Sequence, residues 1–186
     1  MNPSASSLQT ALALLDGGEV IGLPTETVYG LAARLDRPEG LKKIFTVKGR
    51  PSFDPLIVHV DSIEMAKQLV TEWPAAAETL AQKFWPGPLT LILPKSTQVP
   101  DLVTSGLATV GLRMPRSKAA LQLIHEAGPL AAPSANRFGR TSPTTADHVR
   151  QEFGDTVFVI EDQQCEVGIE STILSLSQDS NAITLT

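Results

Sequence analysis

The sequence predicts an α/β fold (α+β in some classification schemes), a three-layer arrangement in which helices pack on a twisted, mixed β-sheet. Segments with strand character alternate with segments of helical period along most of the 186 residues, which is the order typical of such layered folds. The later strand segments crowd together, which favours a mixed sheet over a purely parallel one. The length favours one domain over two small lobes, so we expect a single domain spanning residues 1–186.

The chain opens with a predicted helix and a short predicted strand. Ser7 or an earlier serine would cap the helix, three leucines at helical spacing share one face, and Gly17-Gly18 would end it. The apolar run 19–23 then predicts a strand, and Pro24 stops it. This places the polar segment that follows Pro24 directly at the end of a strand.

The remaining strands are predicted from short runs rich in apolar and β-branched residues, bounded by proline, glycine or polar residues. These runs are 55–60, 89–93, 110–113, 130–132, 157–160, 171–176 and 182–185. Helices are predicted where apolar residues recur at helical spacing. They are 41–48, 63–70, 75–84, 118–126 and a helix capped by Thr144 that runs to Phe153. The last run ends at Thr186 as if it were cut within a strand, so a truncated C-terminus is an open alternative.

Composition limits the class of protein. A formal net charge of −5 argues against a general nucleic-acid coat protein, although a local basic cleft is compatible with it. A single cysteine, Cys165, excludes a disulfide framework and favours a reducing, cytoplasmic setting. The N-terminal segment lacks a basic region typical of a signal peptide, and no apolar run approaches the ~20 residues that span a bilayer.

The common catalytic signatures are absent from the sequence. It contains no G-x-x-x-x-G-K-[ST] loop, no G-x-G-x-x-G after a strand and no G-x-S-x-G turn. His59, His125 and His148 are far apart, and none pairs with Cys165 at the spacing of metal ligands, so we expect no zinc site. The candidate functional residues are therefore polar groups at strand ends, where ligands bind in open α/β sheets.

The turn 24–30 (PTETVYG) follows the first predicted strand and carries two hydroxyls and one carboxylate. It suits a small polar ligand. The alternative is a capping segment, with Thr25 as a helix N-cap and Val28 and Tyr29 in the core. The residues alone do not decide between the two.

The string KGRP at 48–51 places Lys48 and Arg50 two residues apart. Arginine can bind phosphate oxygens with two hydrogen bonds, and lysine adds a compact charge. The alternative is a helix C-terminus where cations complement the helix dipole, and for this string alone that alternative is preferred.

Three later segments offer further polar groups. Ser134-Ala135-Asn136 follows a predicted strand and could bind an anion, or could be a plain loop bonded to its own backbone. Arg113 ends a predicted strand and could bind a carboxylate, or form an exposed salt bridge. Ser171 could be an ordinary strand residue, and the segment 85–88 (WPGP) is interpreted as scaffold. Without further information, these residues indicate an anionic ligand at the strand ends.

Taken together, the segments resemble the YrdC-like family, the threonylcarbamoyl-AMP synthases of tRNA modification. The strings that carry the resemblance occur in family order over nearly the whole chain. They are PTETVYGL (24–31), KGRP (48–51), PLIVHV (55–60), FWPGPLTLIL (84–93), VGLRMP (110–115), APSAN (132–136), SPTTADHV (142–149) and GIESTI (168–173).

The resemblance implies a YrdC-like fold and a reaction. N-carboxythreonine, formed from L-threonine and bicarbonate, would attack the α-phosphorus of ATP to give threonylcarbamoyl-AMP and pyrophosphate, with Mg²⁺ expected. Partner threonylcarbamoyl-transferase proteins would then modify tRNA beside the anticodon, and direct binding of tRNA or double-stranded RNA is an implied possibility.

The resemblance also assigns residues to two substrates. Threonine would be bound by Thr25, His59, Arg113, Ser171 and the backbone near Ala132. ATP would be bound by Lys48, Arg50, Asp54, Thr109, Ser134, Asn136 and Ser142. Lys48 and Arg50 would carry the catalysis, because a phosphoryl-type transition state gathers negative charge that fixed cations offset.

Three features depart from the family pattern. Asp54 stands where asparagine is common, and an acid there would repel ATP unless Mg²⁺ bridges it. Phe138 replaces a common serine, which removes one expected hydroxyl contact. The chain stops at Thr186, where many relatives continue with an arginine-containing segment that contacts ATP.

Two other functions stay open on the sequence. A relative of the same fold could perform another carbamoyl-transfer reaction, and the requirement for threonine would distinguish the two. A non-catalytic RNA-binding module is disfavoured by the acidic charge and by an aromatic content of 5%, since base stacking needs aromatic side chains.

Overall fold

A computed structural model of the chain describes residues 4–51, 53–176 and 183–185. Over these ranges nine strands form one twisted sheet. The strands are β1 (Ile21–Leu23), β2 (Gly30–Arg34), β3 (Ile57–His59), β4 (Leu89–Pro94), β5 (Thr109–Arg113), β6 (Leu130–Ala131), β7 (Phe158–Val159), β8 (Thr172–Leu176) and β9 (Ile183–Leu185). The helices are α1 (Ala5–Asp16), α2 (Pro38–Lys48), α3 (Ile63–Gln68), α4 (Ala75–Phe84), α5 (Asp101–Thr104), α6 (Lys118–Ala127) and α7 (Ala146–Phe153).

The sheet has the order β7-β1-β2-β6-β3-β5-β4-β8-β9 and is mixed, as predicted. Three neighbouring pairs are parallel, namely β7 with β1, β3 with β5 and β4 with β8. The other neighbours are antiparallel. Because β3 and β5 are adjacent and parallel, their last residues, His59 and Arg113, are register partners at one edge of the sheet.

Two apolar clusters, one on each side of the sheet, confirm the three-layer prediction. In β2, Leu31 and Ala33 belong to one cluster and Ala32 to the other, as the alternation of side chains in a strand requires. Helices α1 and α6 supply Leu15 and Leu123 to the cluster of Ala32. Helices α2, α4 and α7 contribute to the other cluster. Burying one leucine of this kind stabilises the fold by about 2 kcal/mol.

The structure differs from the predicted elements in a few places. Strand β2 was not predicted, because its sequence GLAAR is buried on both faces and lacks the polar–apolar alternation of a half-exposed strand. Helix α5 was not predicted because its four residues are too few to show a period. The cap of α7 is Thr145, whose hydroxyl accepts from the His148 N–H, and not Thr144. Of the predicted strand 182–185, residue 182 lies outside the described residues.

Candidate functional site

Lys48 is a buried cation at the end of α2. The helix stops there because Gly49 adopts a left-handed conformation with φ of 61° and its N–H bonds to carbonyls of the last turn. The Lys48 ammonium donates to the backbone carbonyls of Ser134 and Asn136, 86 and 88 residues away in sequence. Burial, and then the nearby charge of Arg50, lower the pKa of Lys48 from 10.5 to about 8. The amine thus joins α2 to the loop after β6. The alternative of a helix C-terminus is correct about the position of Lys48, which lies in the last turn of α2, but the charge is buried against the carbonyls of that loop.

Arg50 follows two residues later and is held by the segment beyond it. Its guanidinium lies 2.9 Å from the Asp54 carboxylate and donates to the carbonyls of Asp54 at 3.2 Å and Pro55 at 3.0 Å. Burial lowers the pKa of Arg50, and the Asp54 carboxylate acts in the opposite direction. The Nε and Nη2 donors of Arg50, one edge of the fork suited to phosphate, are therefore occupied by protein acceptors in this conformation.

A cavity of about 320 Å³ opens beside this ion pair. Five of the predicted site residues line it together: Arg50, Asp54, Thr109, Ser134 and Ser171. Its apolar wall is built from Ile57, Ile92, Leu107 and Ile173, which belong to or flank the central strands. An apolar cleft with a few polar groups and a cation at its mouth suits a ligand that has a flat apolar part and an anionic part.

The loop after β6 forms one rim of the cavity. The amide nitrogen of Asn136 donates to the carbonyls of Arg137 at 2.9 Å and Arg140 at 2.7 Å, and its Oδ1 is buried without a hydrogen-bond partner in the described residues. The Ser142 hydroxyl donates to Glu170 at 2.7 Å. Phe138 is exposed on this loop. Asn136 therefore has an acceptor available, whereas Ser142 is engaged by a second carboxylate that lines the cavity.

Arg113 is buried and is not part of an exposed salt bridge, so that alternative is wrong. Its Nη2 donates to Glu26 Oε1 at 2.7 Å, with the two side chains only 4% and 3% exposed. Its Nε donates to the Gly87 carbonyl at 3.3 Å, which gives the turn 85–88 the scaffolding role predicted for it.

His59 lies beside Arg113 and is also buried. Its Nδ1 has no hydrogen-bond partner among the described residues. Burial, with a smaller contribution from the positive charge of Arg113, lowers the pKa of His59 to about 3. The imidazole is therefore neutral near pH 7 and offers one unpaired ring nitrogen.

Two further predicted site residues, Thr25 and Ala132, lie close in the chain or in the sheet to residues that contact Arg113 or neighbour His59. Thr25 Oγ1 donates to the Val28 carbonyl at 2.6 Å and accepts from the Thr27 N–H at 3.2 Å, which is a local turn. No helix begins at Thr25, so the alternative of a helix N-cap is wrong. The Ala132 N–H donates to the Ile57 carbonyl at 2.9 Å.

Ser171 and Thr90 lie between the cavity beside Arg50 and the buried Arg113. Their hydroxyls are 2.7 Å apart, and both residues line the cavity. Thr90 directly precedes Leu91, the register partner of Leu112, so Thr90 lies next to the position of Arg113 in the sheet.

Sequence reasoning missed three residues of this region: Glu26, Thr90 and Glu170. Glu26 lies in the segment PTETVYGL (24–31). A single carboxylate between two threonines after a strand is the sequence feature that could have indicated its role. Thr90 had no local signal, because a threonine in a strand is ordinary.

Two further cavities differ in their relation to the predicted site residues. One of about 620 Å³ lies between α1 and β7 and is lined by none of the predicted site residues. Another, of about 340 Å³, includes Thr25 and Glu26 together with Cys165. Burial raises the pKa of the Cys165 thiol to about 11, so the thiol stays protonated near pH 7 and is a poor nucleophile. Among the described residues, no helix is long and apolar enough to cross a membrane.

The fold and site define an α/β protein with a cavity beside the central strands of its sheet, lined by apolar side chains and by the Arg50–Asp54 ion pair. The chain belongs to the Sua5/YciO/YrdC family, whose model, Sua5_yciO_yrdC, described as "Telomere recombination", matches residues 13–185.

Two curated relatives are named threonylcarbamoyl-AMP synthase. The Pyrococcus abyssi protein is 46% identical over 173 residues, covering 92% of this chain and 51% of the relative. The Bacillus subtilis protein is 48% identical over 172 residues, covering 91% and 50%. The crystal structure of P. abyssi Sua5 complexed with L-threonine matches with a TM-score of 0.92 and 44% identity, covering 96% of this chain and 52% of that one. The chain spans about half the length of the relatives it matches.

Proposed function

We propose that this chain carries the active site of an L-threonylcarbamoyladenylate synthase. The enzyme, a nucleotidyltransferase, would form threonylcarbamoyl-AMP and pyrophosphate from L-threonine, bicarbonate and ATP. The observation that carries the proposal is the adjacency of two groups of residues: Thr90, which lines the Arg50 cavity and bonds to Ser171, is the cross-strand neighbour of the buried Arg113. Relatives named threonylcarbamoyl-AMP synthase support it.

The nucleotide would occupy the cavity of about 320 Å³. Its base and sugar would contact the apolar wall, and its phosphates would reach Arg50 and the loop 134–136. To bind phosphate, Arg50 exchanges protein acceptors for phosphate oxygens, and the Lys48 charge lies directly beneath that loop. Fixed cations of this kind stabilise the negative charge that develops at phosphorus without reorganising during the reaction.

The amino acid would bind in the buried group around Arg113. A guanidinium is a strong donor to the carboxylate of threonine. The neutral His59 offers an acceptor to the amine or hydroxyl, because its Nδ1 has no partner in the described residues. Thr25, Ser171 and the backbone near Ala132 supply further polar groups. The P. abyssi structure complexed with L-threonine supports threonine as the ligand.

Magnesium would enter with the nucleotide. Among the described residues, no group of three or more His, Cys, Asp or Glu side chains is placed to hold a metal by itself. Asp54 and Glu170 line the cavity, and magnesium commonly binds one or two carboxylates together with substrate phosphates. Glu170 would hold the ion, whose charge would neutralise phosphate oxygens and offset the repulsion from Asp54.

The test is pyrophosphate release from ATP, with threonine and bicarbonate each omitted in turn. We expect release to require both. Release without threonine but with carbamoyl phosphate would indicate a carbamoyl-transfer relative of the same fold. RNA binding that weakens steeply with salt, without nucleotide turnover, would indicate an RNA-binding module. We further propose that the product passes in the cytoplasm to partner threonylcarbamoyl-transferase proteins that modify tRNA.

A further inference from the structure

The Glu26 carboxylate forms a buried ion pair with the Arg113 guanidinium. One oxygen accepts from Arg113 Nη2 at 2.7 Å, and the other accepts from the backbone N–H of Arg116 at 2.8 Å. The backbone carbonyl of Glu26 in turn accepts from the Val167 N–H at 2.9 Å. Glu26 is thus held between the turn after β1, the end of β5 and the segment leading to β8.

The Glu26–Arg113 ion pair is not explained by a gain in the stability of the fold. Both side chains are almost completely buried, and removing two charges from water offsets most of their mutual attraction. Apolar side chains of similar volume would stabilise the same place equally well or better. The geometry that the pair imposes is therefore its distinguishing property.

The geometry fixes a rigid fork of donors. With Nη2 bonded to Glu26 and Nε bonded to the Gly87 carbonyl, two of the three guanidinium nitrogens are engaged. No described residue accepts a hydrogen bond from Nη1. The guanidinium cannot rotate without breaking a charged hydrogen bond in a buried place, where such a bond is strong.

We infer that Glu26 is a positioning residue for amino-acid recognition: it locks the Arg113 guanidinium in one orientation and leaves Nη1 as the donor to the substrate carboxylate. The inference rests on the proposed function, which places that carboxylate at Arg113. Glu26 touches Arg113 and acts through it. Its loss should therefore weaken the binding of threonine and leave the nucleotide half of the site unchanged.

The experiment compares E26Q and E26D with the unaltered chain. Glutamine keeps the size but loses the charge and one acceptor, and aspartate keeps the charge but is one methylene shorter. We expect E26Q to raise the calorimetric Kd for threonine and its KM by about 10- to 100-fold, the usual effect of losing a buried hydrogen bond to a charged group. The kcat and the KM for ATP should change by less than about threefold, and E26D should fall between E26Q and the unaltered chain.

A double-mutant cycle separates positioning from a general structural role. In an Arg113→Ala background, E26Q should cause no further loss of kcat/KM for threonine, because the residue it acts through is gone. The matched control is E78Q, which removes a carboxylate that accepts from Trp73 Nε1 at 2.6 Å and pairs with Lys67 at 2.9 Å, away from the site. We expect E78Q to leave the threonine KM unchanged.

Several outcomes overturn the inference. Unchanged or tighter threonine binding by folded E26Q contradicts it, as does an equal loss of ATP affinity or an undiminished effect in the Arg113→Ala background. If E26Q does not fold, the same threonine and ATP measurements on E26D test the inference. If the unaltered chain binds no threonine, the proposed function is refuted. If the unaltered chain and E26Q bind threonine equally well, only the inference about Glu26 is refuted.

Discussion

The Arg50 guanidinium lies 2.9 Å from the Asp54 carboxylate, and both side chains line the same cavity. The pair makes the proposed phosphate site nearly neutral before a ligand arrives. An incoming nucleotide must therefore compete with Asp54 for the arginine, unless a magnesium ion occupies the carboxylate. The first two predictions follow from this pair.

Replacing Asp54 with asparagine should strengthen ATP binding. D54N keeps a similar size and an acceptor oxygen but removes the charge that opposes the phosphates. We expect the KM for ATP to fall by about three- to tenfold, with the effect shrinking as ionic strength rises, since a partly exposed charge is screened. The stability cost should be at most about 1 kcal/mol, the upper end of the range for surface ion pairs. A raised KM for ATP at every magnesium concentration would contradict the prediction and show that Asp54 assists binding.

Replacing Arg50 with alanine should reduce threonine-dependent pyrophosphate release by about 10²- to 10³-fold, the typical effect of removing one preorganised donor. The threonine Kd, measured by calorimetry, should change little, because Arg50 lies on the nucleotide side of the cavity. A matched control is R140A, whose guanidinium is exposed and pairs with Glu152 at 3.2 Å. Near-normal release by R50A would refute its assignment to the phosphate site.

The sequence predicts much of the fold because the fold depends on local patterns. The runs at β3, β4 and β5 are short, apolar and bounded by turn residues, and each forms a central strand of the sheet. Strand β2 escapes such reasoning, because its burial comes from layers that meet only in the folded chain. The mixed sheet could be predicted from crowded strands, whereas the strand order could not.

The residues of the site could be predicted in part, but the contacts between them could not. Charged and hydroxyl residues at strand ends could be recognised one by one, and Arg50, Ser134 and Ser171 do share a cavity. The contacts that organise them are long-range: the Lys48 ammonium binds carbonyls 86 and 88 residues away, and Arg113 pairs with Glu26 across 87 residues. No spacing in the sequence encodes these pairs, so the burial of both cations is visible only in the structure.

The Thr90–Ser171 hydrogen bond should couple threonine affinity to stability. S171A leaves the buried Thr90 hydroxyl without this partner and should cost about 1–3 kcal/mol in the free energy of unfolding. The double variant S171A/T90V removes both hydroxyls and should recover part of that loss. Threonine binding should stay weakened in both variants, because the predicted contact from Ser171 is absent in each. Chemical denaturation and threonine calorimetry provide the measurements, and threonine affinity restored in the double variant would exclude Ser171 as a ligand contact.

The buried amine of Lys48 should set the alkaline limit of activity. Its folded-state pKa of about 8 lies below the ordinary value of 10.5, so the cation that stabilises the phosphates is lost as pH rises through 8. In the log kcat/KM profile for ATP we expect an alkaline decline with an apparent pKa near 8, and K48R, whose guanidinium stays charged, should lack that decline.

The stability of the fold should depend on pH in the opposite direction. Between pH 8 and 10.5 the unfolded chain holds the Lys48 proton and the folded chain has lost it, so the contribution of Lys48 to the free energy of unfolding rises over this range. Denaturant titrations of the unaltered chain and K48R across this range isolate that contribution. An identical alkaline decline in K48R would assign the titration to another group.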